Sequence, residues 1–555
     1  MVIGRTVLIL MALGTGCVQA ADGPSTAAAW RIEQALTRQA SETNAVAARG
    51  GVTRPEDASL WFYAERSFAP AWNWGDRLPR LLRALQALEE DGLEPDLYGL
   101  PELQRRWFEG AEDPAQIACT DLMATEAYLG ALFDLSFGRL DPASIEPIWH
   151  AGQDTGAREQ RRLQVIMLAA GLVDDIEDVI ARVRPSTPGY RGLRQGYAEL
   201  RERARAGDWP TVPAGPLLRP GMRDPRVPAL RSRLADEIAA AAPEAAQPEL
   251  YDADVVAAIT AFQRRHHLQP DGMVGPETLA ALNVPIEARL EQLRVNLERM
   301  RWLAVEQEQS GLVVDIAGGR ILYRRDGAIV WSARTQVGRA SRPTPRLKSA
   351  VTHLTFNPSW TVPPTILRED KLPLIRKDIS YLERNRLRVL DHAGNRLDPV
   401  TVDWSSPGGI LLRQDPGPHN ALGRVAIRFP NPFHVYLHDT PSQAIFQLAD
   451  RGVSSGCVRV ERPMELADLL IEDGSDAGPE RAAGLAADGR TRDFYLARPI
   501  PILVAYWTAD VGDDGRVVFR PDRYGRDPGI ARALAEQVPR LRWAEGCAAP
   551  RERES

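Results

Sequence analysis

Apolar residues recur with helical spacing along the first third of the chain. In "RLPRLLRALQALEEDGLEPDLYGL", Leu78, Leu81, Leu82, Leu85 and Leu88 follow at intervals of 3, 1, 3 and 3, which lines one face of a helix. Gly92 and Pro95 end that element. Residues 21–215 thus read as a helical scaffold region without chemistry of its own. "GDWPTVPAGPLLRPGMRDPRVP" (207–228) is dense in Pro and Gly and leads into a second, small helical module at 216–284. In that module Val255, Ile259 and Phe262 form a buried helical stripe, Asp271-Gly272 makes a turn, and Pro276 opens a last short helix. Pro285 starts another helix, and Leu290, Leu293, Leu297 and Met300 make it amphipathic over 285–304, a connecting helix.

From residue 311 the period changes to two. "GLVVDIAGGRILYRRDGAIVWSARTQVGR" alternates apolar and polar positions around Gly318-Gly319 and Asp326-Gly327, which predicts consecutive hairpins. "VTHLTFNPSWTVP" and "PFHVYLHDTP" continue the alternation, so a β-rich domain is expected over 305–510. Residues 362–415 are charged and turn-rich, like an insertion capping one end of that domain, and 511–555 read as a C-terminal tail. The expected fold class is therefore multidomain: a mostly helical N-terminal scaffold and a small helical module, followed by a β-rich domain with a capping insertion.

Composition bounds this picture. A chain of 555 residues exceeds one hydrophobic core, and 44% apolar with 26% charged residues describes globular domains. The net charge of −6 gives no basic stripe for nucleic acid. "MVIGRTVLILMALGTGCVQAADG" has one arginine, a short apolar run and a small-x-small site at Val18-Gln19-Ala20, so residues 1–20 are expected to be a secretory signal and the protein periplasmic. Acylation of Cys17 as a lipoprotein is the rival reading, against which Gly14-Thr15-Gly16 makes a poor lipobox. Removal of Cys17 leaves Cys119, Cys457 and Cys547, an odd number, so at least one thiol is unpaired. Cys119 and Cys547 could pair, which leaves Cys457 as the natural reserved thiol. No cysteine has a second Cys or a His at ligand spacing, so no metal is expected.

The chemistry-bearing stretches are "FHVYLHD" and "VSSGCVRVE". Strand alternation places Phe433, Val435 and Leu437 on one face and His434, Tyr436 and His438 on the other. His438 ends its strand 19 positions before Cys457, which lets it return to the cysteine in space. A thiol is mostly protonated near neutral pH, and an adjacent imidazole can take its proton and return it to a leaving amine. Gly456 allows close backbone approach, and the N–H groups of Gly456 and Cys457 could stabilise a tetrahedral oxyanion. Arg459 returns to the face of Cys457 in an extended chain and offers a fork for a substrate carboxylate. The bland alternative is a cysteine buried as a small hydrophobe beside a histidine satisfied by packing.

"HDTPSQAIFQLADRGVSSGCVRVE" resembles the signature of L,D-transpeptidases with a YkuD-type catalytic domain. "VGRASRPTP", "FNPSWTVP", "PGPHNALGRV", "FPNPFHVYLHDTP", "SSGCVRVERP" and the "YGRD" of 524–527 are similar to the large periplasmic subfamily. That subfamily carries a scaffold region, a peptidoglycan-binding module and a capping insertion. The module's Phe262, Gln263, Leu268, Asp271, Gly272, Gly275 and Thr278 stand where peptidoglycan-binding domain 1 has its motif.

The resemblance implies Cys457 as nucleophile, His438 as base, oxyanion donors at Gly456 and Cys457, and Arg459 holding substrate or orienting the loop. Many YkuD enzymes have histidine where this chain has Ser455, though the large subfamily commonly has Ser-Ser-Gly-Cys. Asp439 would point away from His438, so a backbone carbonyl, at Ser454, is the expected orienter of the ring. Ser455, Tyr436, Trp360 and Asn420 are expected to line the substrate site, with packing as the alternative. The implied reaction is 3→3 cross-linking of peptidoglycan stem peptides through a thioester, with release of D-alanine and no metal or organic cofactor. Carbapenems are expected to acylate the same cysteine. The alternatives are an L,D-carboxypeptidase, an enzyme anchoring outer-membrane proteins to the wall, a cysteine endopeptidase, and a catalytically silent wall-binding protein. Other cell-wall enzymes are possible partners, and the oligomeric state is open.

Overall fold

The computed structural model describes residues 24–46, 58–73, 75–110, 112–150, 155–207, 209–235, 247–304, 308–476 and 480–539. The expected signal segment, Cys17 and Cys547 lie outside the described residues. The N-terminal region is helical and is organised around the helix Pro114–Phe137, which is buried along most of its length and capped by Asp113. Leu78, Leu81, Leu82 and Leu85 are buried on the helix Arg77–Gln86, as their spacing predicts. The chain then tightens into a 3₁₀ turn, Ala87–Asp91, and stops at Gly92 with φ +70°.

The small module packs the helices Val227–Arg233, Ala253–Arg265 and Pro276–Leu282 around Leu230, Val255, Ile259, Phe262 and Leu282. Its motif residues form an internal knot. The Gln263 amide donates to Asp271, to the Met273 carbonyl and to Thr278, and accepts the Gly272 N–H. These groups are spent on holding the turn in place.

The connecting helix Ile286–Ala304 corrects the amphipathic expectation. Its first turns have one buried face, but every residue from Val295 to Leu303 is buried, charged ones included. Those charges are matched. Arg301 pairs with Glu298, both fully buried, and also donates to the Asp91 carbonyl and Tyr190. Arg299 pairs with Glu146 and Asp527. Paired, hydrogen-bonded charges can occupy a core that lone ones cannot.

The β domain begins with a short parallel partner, β1 (Trp149–His150), supplied by the scaffold region. β2 (Gly311–Asp315), β3 (Arg320–Arg325) and β4 (Ala328–Gly338) form the two hairpins, followed by β5 (Leu347–Phe356). β7 (Leu387–Asp391) and β8 (Ile410–Gln414) of the insertion form a separate sheet with β6 (Trp360–Thr361), which immediately precedes it. The insertion packs on a separate small core that includes Val362, Ile375, Leu382, Val389 and Leu412.

Next come β9 (Val425–Arg428), β10 (Leu437–His438), β11 (Gly452–Ser454), β12 (Val458–Val460) and β13 (Arg492–Ala505). The order β5-β13-β2-β3-β4-β12-β10-β9, with β9 pairing back onto β5, closes the sheet on itself. Closure leaves those strands no long free edge.

Two expectations fail here. "FHVYLHD" is not one strand, because His434 takes a left-handed conformation (φ +55°) and only Leu437–His438 pair. Tyr436 and His438 still share a side, whereas Phe433 and His434 are exposed. Residues 511–539 are not a free tail either. β14 (Ala509–Val511) pairs with β15 (Val517–Phe519), and the helix Asp527–Ala535 packs against Val295 and Trp302 of the connecting helix.

Candidate active site

Cys457 lies between β11 and β12, on a turn that Gly456 takes at φ +115°. β12 pairs parallel with β10, with Leu437 opposite Val458 and His438 opposite Arg459. By alternation, Tyr436, His438, Cys457 and Arg459 share one face of this two-strand ribbon. The Tyr436 carbonyl accepts the Val458 N–H, which ties the two segments together beside the cysteine. Cys119 is disulfide-bonded, with its partner outside the described residues, so Cys457 is the free thiol among those described.

The electrostatics keep both groups neutral. Burial pushes the Cys457 thiol above its ordinary value, opposed by the nearby Tyr436 backbone N–H and then by the charges of Arg428 and Arg459. Burial, then the Arg459 charge, pushes His438 down to about 3. The resting pair is therefore thiol and imidazole, not thiolate and imidazolium.

The ring is oriented by a carbonyl, but not by that of Ser454. His438 Nδ1 meets the Asp439 carbonyl at 2.5 Å, while the Ser454 carbonyl accepts the Arg339 N–H. The Asp439 carboxylate points elsewhere and accepts the N–H groups of Arg424 and Thr440. The Ser454 hydroxyl clamps the turn: it donates to the Cys457 carbonyl at 2.5 Å and accepts the Gly456 N–H. Of the two expected oxyanion donors, the Gly456 N–H is thus already engaged. The Cys457 N–H meets no acceptor among the described residues.

Arg459 donates to Gln336, which in turn holds the Ser442 carbonyl. It has no carboxylate partner among the described residues, and its charge acts on both His438 and Cys457. Tyr436 lies 5.6 Å from the His438 ring and carries the Arg428 guanidinium 4.0 Å above its own ring. Beside it opens a cleft of about 620 Å³ lined by His353, Arg428, His434, Tyr436 and Asp493.

Ser455 accepts a bond from Arg342, which also pairs with Glu369 and Asp370 of the insertion. Trp360 and Asn420 are committed elsewhere. Trp360 sits in the insertion's sheet under Lys371, and the buried Asn420 amide is spent on the backbone of Asp415 and Leu422. Arg342, Gln336, Thr344 and Tyr524 touch this site or its turn without having been singled out. "VGRASRPTP" and "YGRD" contain three of them. Among the described residues no group of three His, Cys, Asp or Glu side chains could hold a metal ion.

A closed β domain that presents a lone thiol beside a carbonyl-oriented imidazole belongs to the class of cysteine–histidine domains. Residues 309–477 match the L,D-transpeptidase catalytic domain, YkuD. Residues 60–196 match the family described as "Scaffold domain" and 224–282 the one described as "Putative peptidoglycan binding domain". The chain therefore carries a YkuD-family L,D-transpeptidase catalytic domain behind a scaffold domain and a peptidoglycan-binding domain.

A Haemophilus influenzae protein named "Putative L,D-transpeptidase" is 32% identical over 243 residues, 43% of this chain and 49% of that protein. The chain thus spans about half the length of the curated relative it matches. Among solved structures, an L,D-transpeptidase from Mycobacterium smegmatis is 17% identical, covering 36% of this chain and 58% of that one at a TM-score of 0.16. One from Xylanimonas cellulosilytica is 18% identical, covering 53% and 99%, at a TM-score of 0.18.

Proposed function

We propose that this protein is a peptidoglycan L,D-transpeptidase that makes 3→3 cross-links outside the cytoplasm. The observation that carries the reading is the free, half-buried Cys457 on a glycine turn that leads into the strand paired with that of His438, whose Nδ1 is bound to a carbonyl. A carbonyl only accepts, so Nδ1 holds the ring proton and Nε2 is the basic nitrogen. No helix among the described residues is long and apolar enough to cross a membrane.

In the proposed reaction Cys457 Sγ attacks the carbonyl carbon of the third stem residue while its proton passes to His438 Nε2. The carbonyl oxygen becomes an oxyanion at the Cys457 N–H. Collapse breaks the amide bond, the proton moves from His438 to the leaving D-alanine amine, and a thioester remains. The side-chain amine of a second stem then attacks the thioester, loses a proton to His438, and expels the thiol. Arg459 and Arg428 supply fixed positive charge for stem carboxylates.

Holding thiol and imidazole neutral suits this sequence, since proton transfer then accompanies attack on the substrate. The test is incubation with purified disaccharide-tetrapeptide and mass spectrometry of the products, beside Cys457→Ala. Dimers that have lost one D-alanine, absent in the variant, are expected. Tripeptide monomer without dimer would make water the acceptor, and unchanged substrate would overturn the reading.

A further inference from the structure

The peptide group between Gly456 and Cys457 is trans, like every peptide bond described, so its carbonyl and its N–H point in opposite directions. Whatever fixes the Gly456 oxygen therefore fixes the direction of the Cys457 N–H. Gly456 has the freedom to let this group turn over, because its φ of +115° lies where side chains are disfavoured and a Cβ there would meet nothing closer than 3.7 Å. One side chain holds it. The buried Thr344 hydroxyl donates to the Gly456 carbonyl at 2.9 Å and accepts the Gly338 N–H at 2.8 Å.

Thr344 is itself held. Its N–H donates to the Tyr524 hydroxyl at 3.1 Å, and that hydroxyl donates to the Gly338 carbonyl at 2.7 Å. Tyr524 is stacked on Tyr506, with ring centres 5.1 Å apart, and its N–H donates to the Tyr506 hydroxyl. The loop can fold back this tightly only because residue 338 is glycine: a Cβ there would lie 2.3 Å from the Arg342 carbonyl.

We propose that Thr344 is the positioning residue of the oxyanion site: by holding the Gly456 carbonyl it aims the Cys457 N–H at the oxygen that gains negative charge. Tyr524, beyond the segment that matches the catalytic family, fixes Thr344. The inference rests on Cys457 being the nucleophile. Thr344 touches neither thiol nor substrate, so its effect belongs to reactions that pass through an oxyanion and not to the nucleophilicity of the sulfur.

Two reagents separate these. A carbapenem acylates a thiol through a tetrahedral oxyanion, whereas iodoacetamide alkylates it by displacement at a saturated carbon with none. In the full-length protein, with labelling read on the Cys457 peptide, Thr344→Val is expected to slow acylation by about 10- to 100-fold, part of what loss of a whole oxyanion donor costs. Alkylation should stay within about twofold, because it follows the thiolate fraction and access. Thr344→Ser, which keeps the hydroxyl, should restore acylation. Tyr524→Phe should slow acylation by about three- to tenfold, a smaller part of the same effect, which tests the proposal should Thr344→Val fail to fold.

Equal loss in both reactions would mean that Thr344 only supports the fold and would overturn the proposal, as would unchanged acylation in Thr344→Val, or in Tyr524→Phe if the valine variant does not fold. Cys457→Ala keeps the two ideas apart. If it loses both labels, an unchanged Thr344→Val counts against Thr344 alone. If it still takes up carbapenem, the nucleophile assignment falls, and the role of Thr344 with it.

Discussion

His438 is held by its own neighbour: Nδ1 meets the carbonyl oxygen of Asp439 at 2.5 Å, so the ring needs no carboxylate to fix its tautomer. A carboxylate partner would raise the basicity of the imidazole. A carbonyl orients it without adding negative charge, and burial and Arg459 then keep it neutral.

The first prediction follows from that neutrality. With His438 near 3 and the Cys457 thiol above its ordinary value, no thiolate–imidazolium pair forms at mildly acidic pH. The alkylation rate should climb with pH through and past the range of an ordinary thiol, with no plateau at low pH. His438→Ala should leave that curve nearly in place while slowing acylation by about 10²- to 10⁴-fold, the usual contribution of a general base. A low-pH alkylation plateau that vanishes in His438→Ala would contradict this.

Arg342 joins the cysteine turn to the capping insertion through Ser455, Glu369 and Asp370. Glu369 and Asp370 lie at the solvent side of these pairs, where screening weakens them, so Arg342→Ala should barely move Tm. Amide exchange over residues 364–377 should nonetheless quicken, and KM for the stem peptide should rise by about threefold or more with kcat less affected, the sign of lost binding.

Arg301 and Glu298 form a fully buried pair on the connecting helix. Arg301→Met would leave Glu298 buried with only the Leu140 and Trp302 N–H groups, and should cost about 3–5 kcal/mol in denaturant unfolding. The double variant Arg301→Met/Glu298→Gln should recover part of that loss, since the stranded charge is gone.

His267 sits where the small module meets the β domain. Burial and the charges of Arg451, Arg520 and Arg523 push it down to about 3. Unfolded, it would titrate near the ordinary histidine value of about 6.5. Between those values the unfolded chain binds the extra proton, so this stabilising contribution is complete above about pH 6.5 and is lost as pH falls toward 3. His267→Asn, which tolerates the left-handed φ of +55°, should show a shallower fall of Tm between neutral and acidic pH than the parent protein.

What the sequence discloses here is what local periodicity and turn chemistry encode. The stripe from Leu78 to Leu85, the hairpins at Gly318-Gly319 and Asp326-Gly327, and the glycine turn before Cys457 all rest on neighbours within a few residues. What it hides depends on distant pairings. Thr344 reaches Gly456 across 112 positions and Tyr524 across 180, and neither leaves a periodic trace. The charged run in the connecting helix looked solvent-facing because what draws it inside is partly far away in sequence: Arg299 pairs with Glu146 and Asp527, and Arg301, besides its neighbour Glu298, reaches the Asp91 carbonyl. The break of "FHVYLHD" at His434 was invisible to alternation, since nothing in the residue pattern marks a left-handed histidine there.

β13, Arg492–Ala505, lies between β5 and β2 in the closed sheet. It is also among the last strands to leave the ribosome. Until residue 505 has emerged, β2 and β5 each show a row of unpaired backbone groups, and the connecting helix still lacks Thr508 and Asp527 to meet Asn296 and Arg299. The β domain therefore cannot be completed strand by strand from its N-terminal end. A chain truncated before this strand should be an aggregation-prone species, not a smaller enzyme.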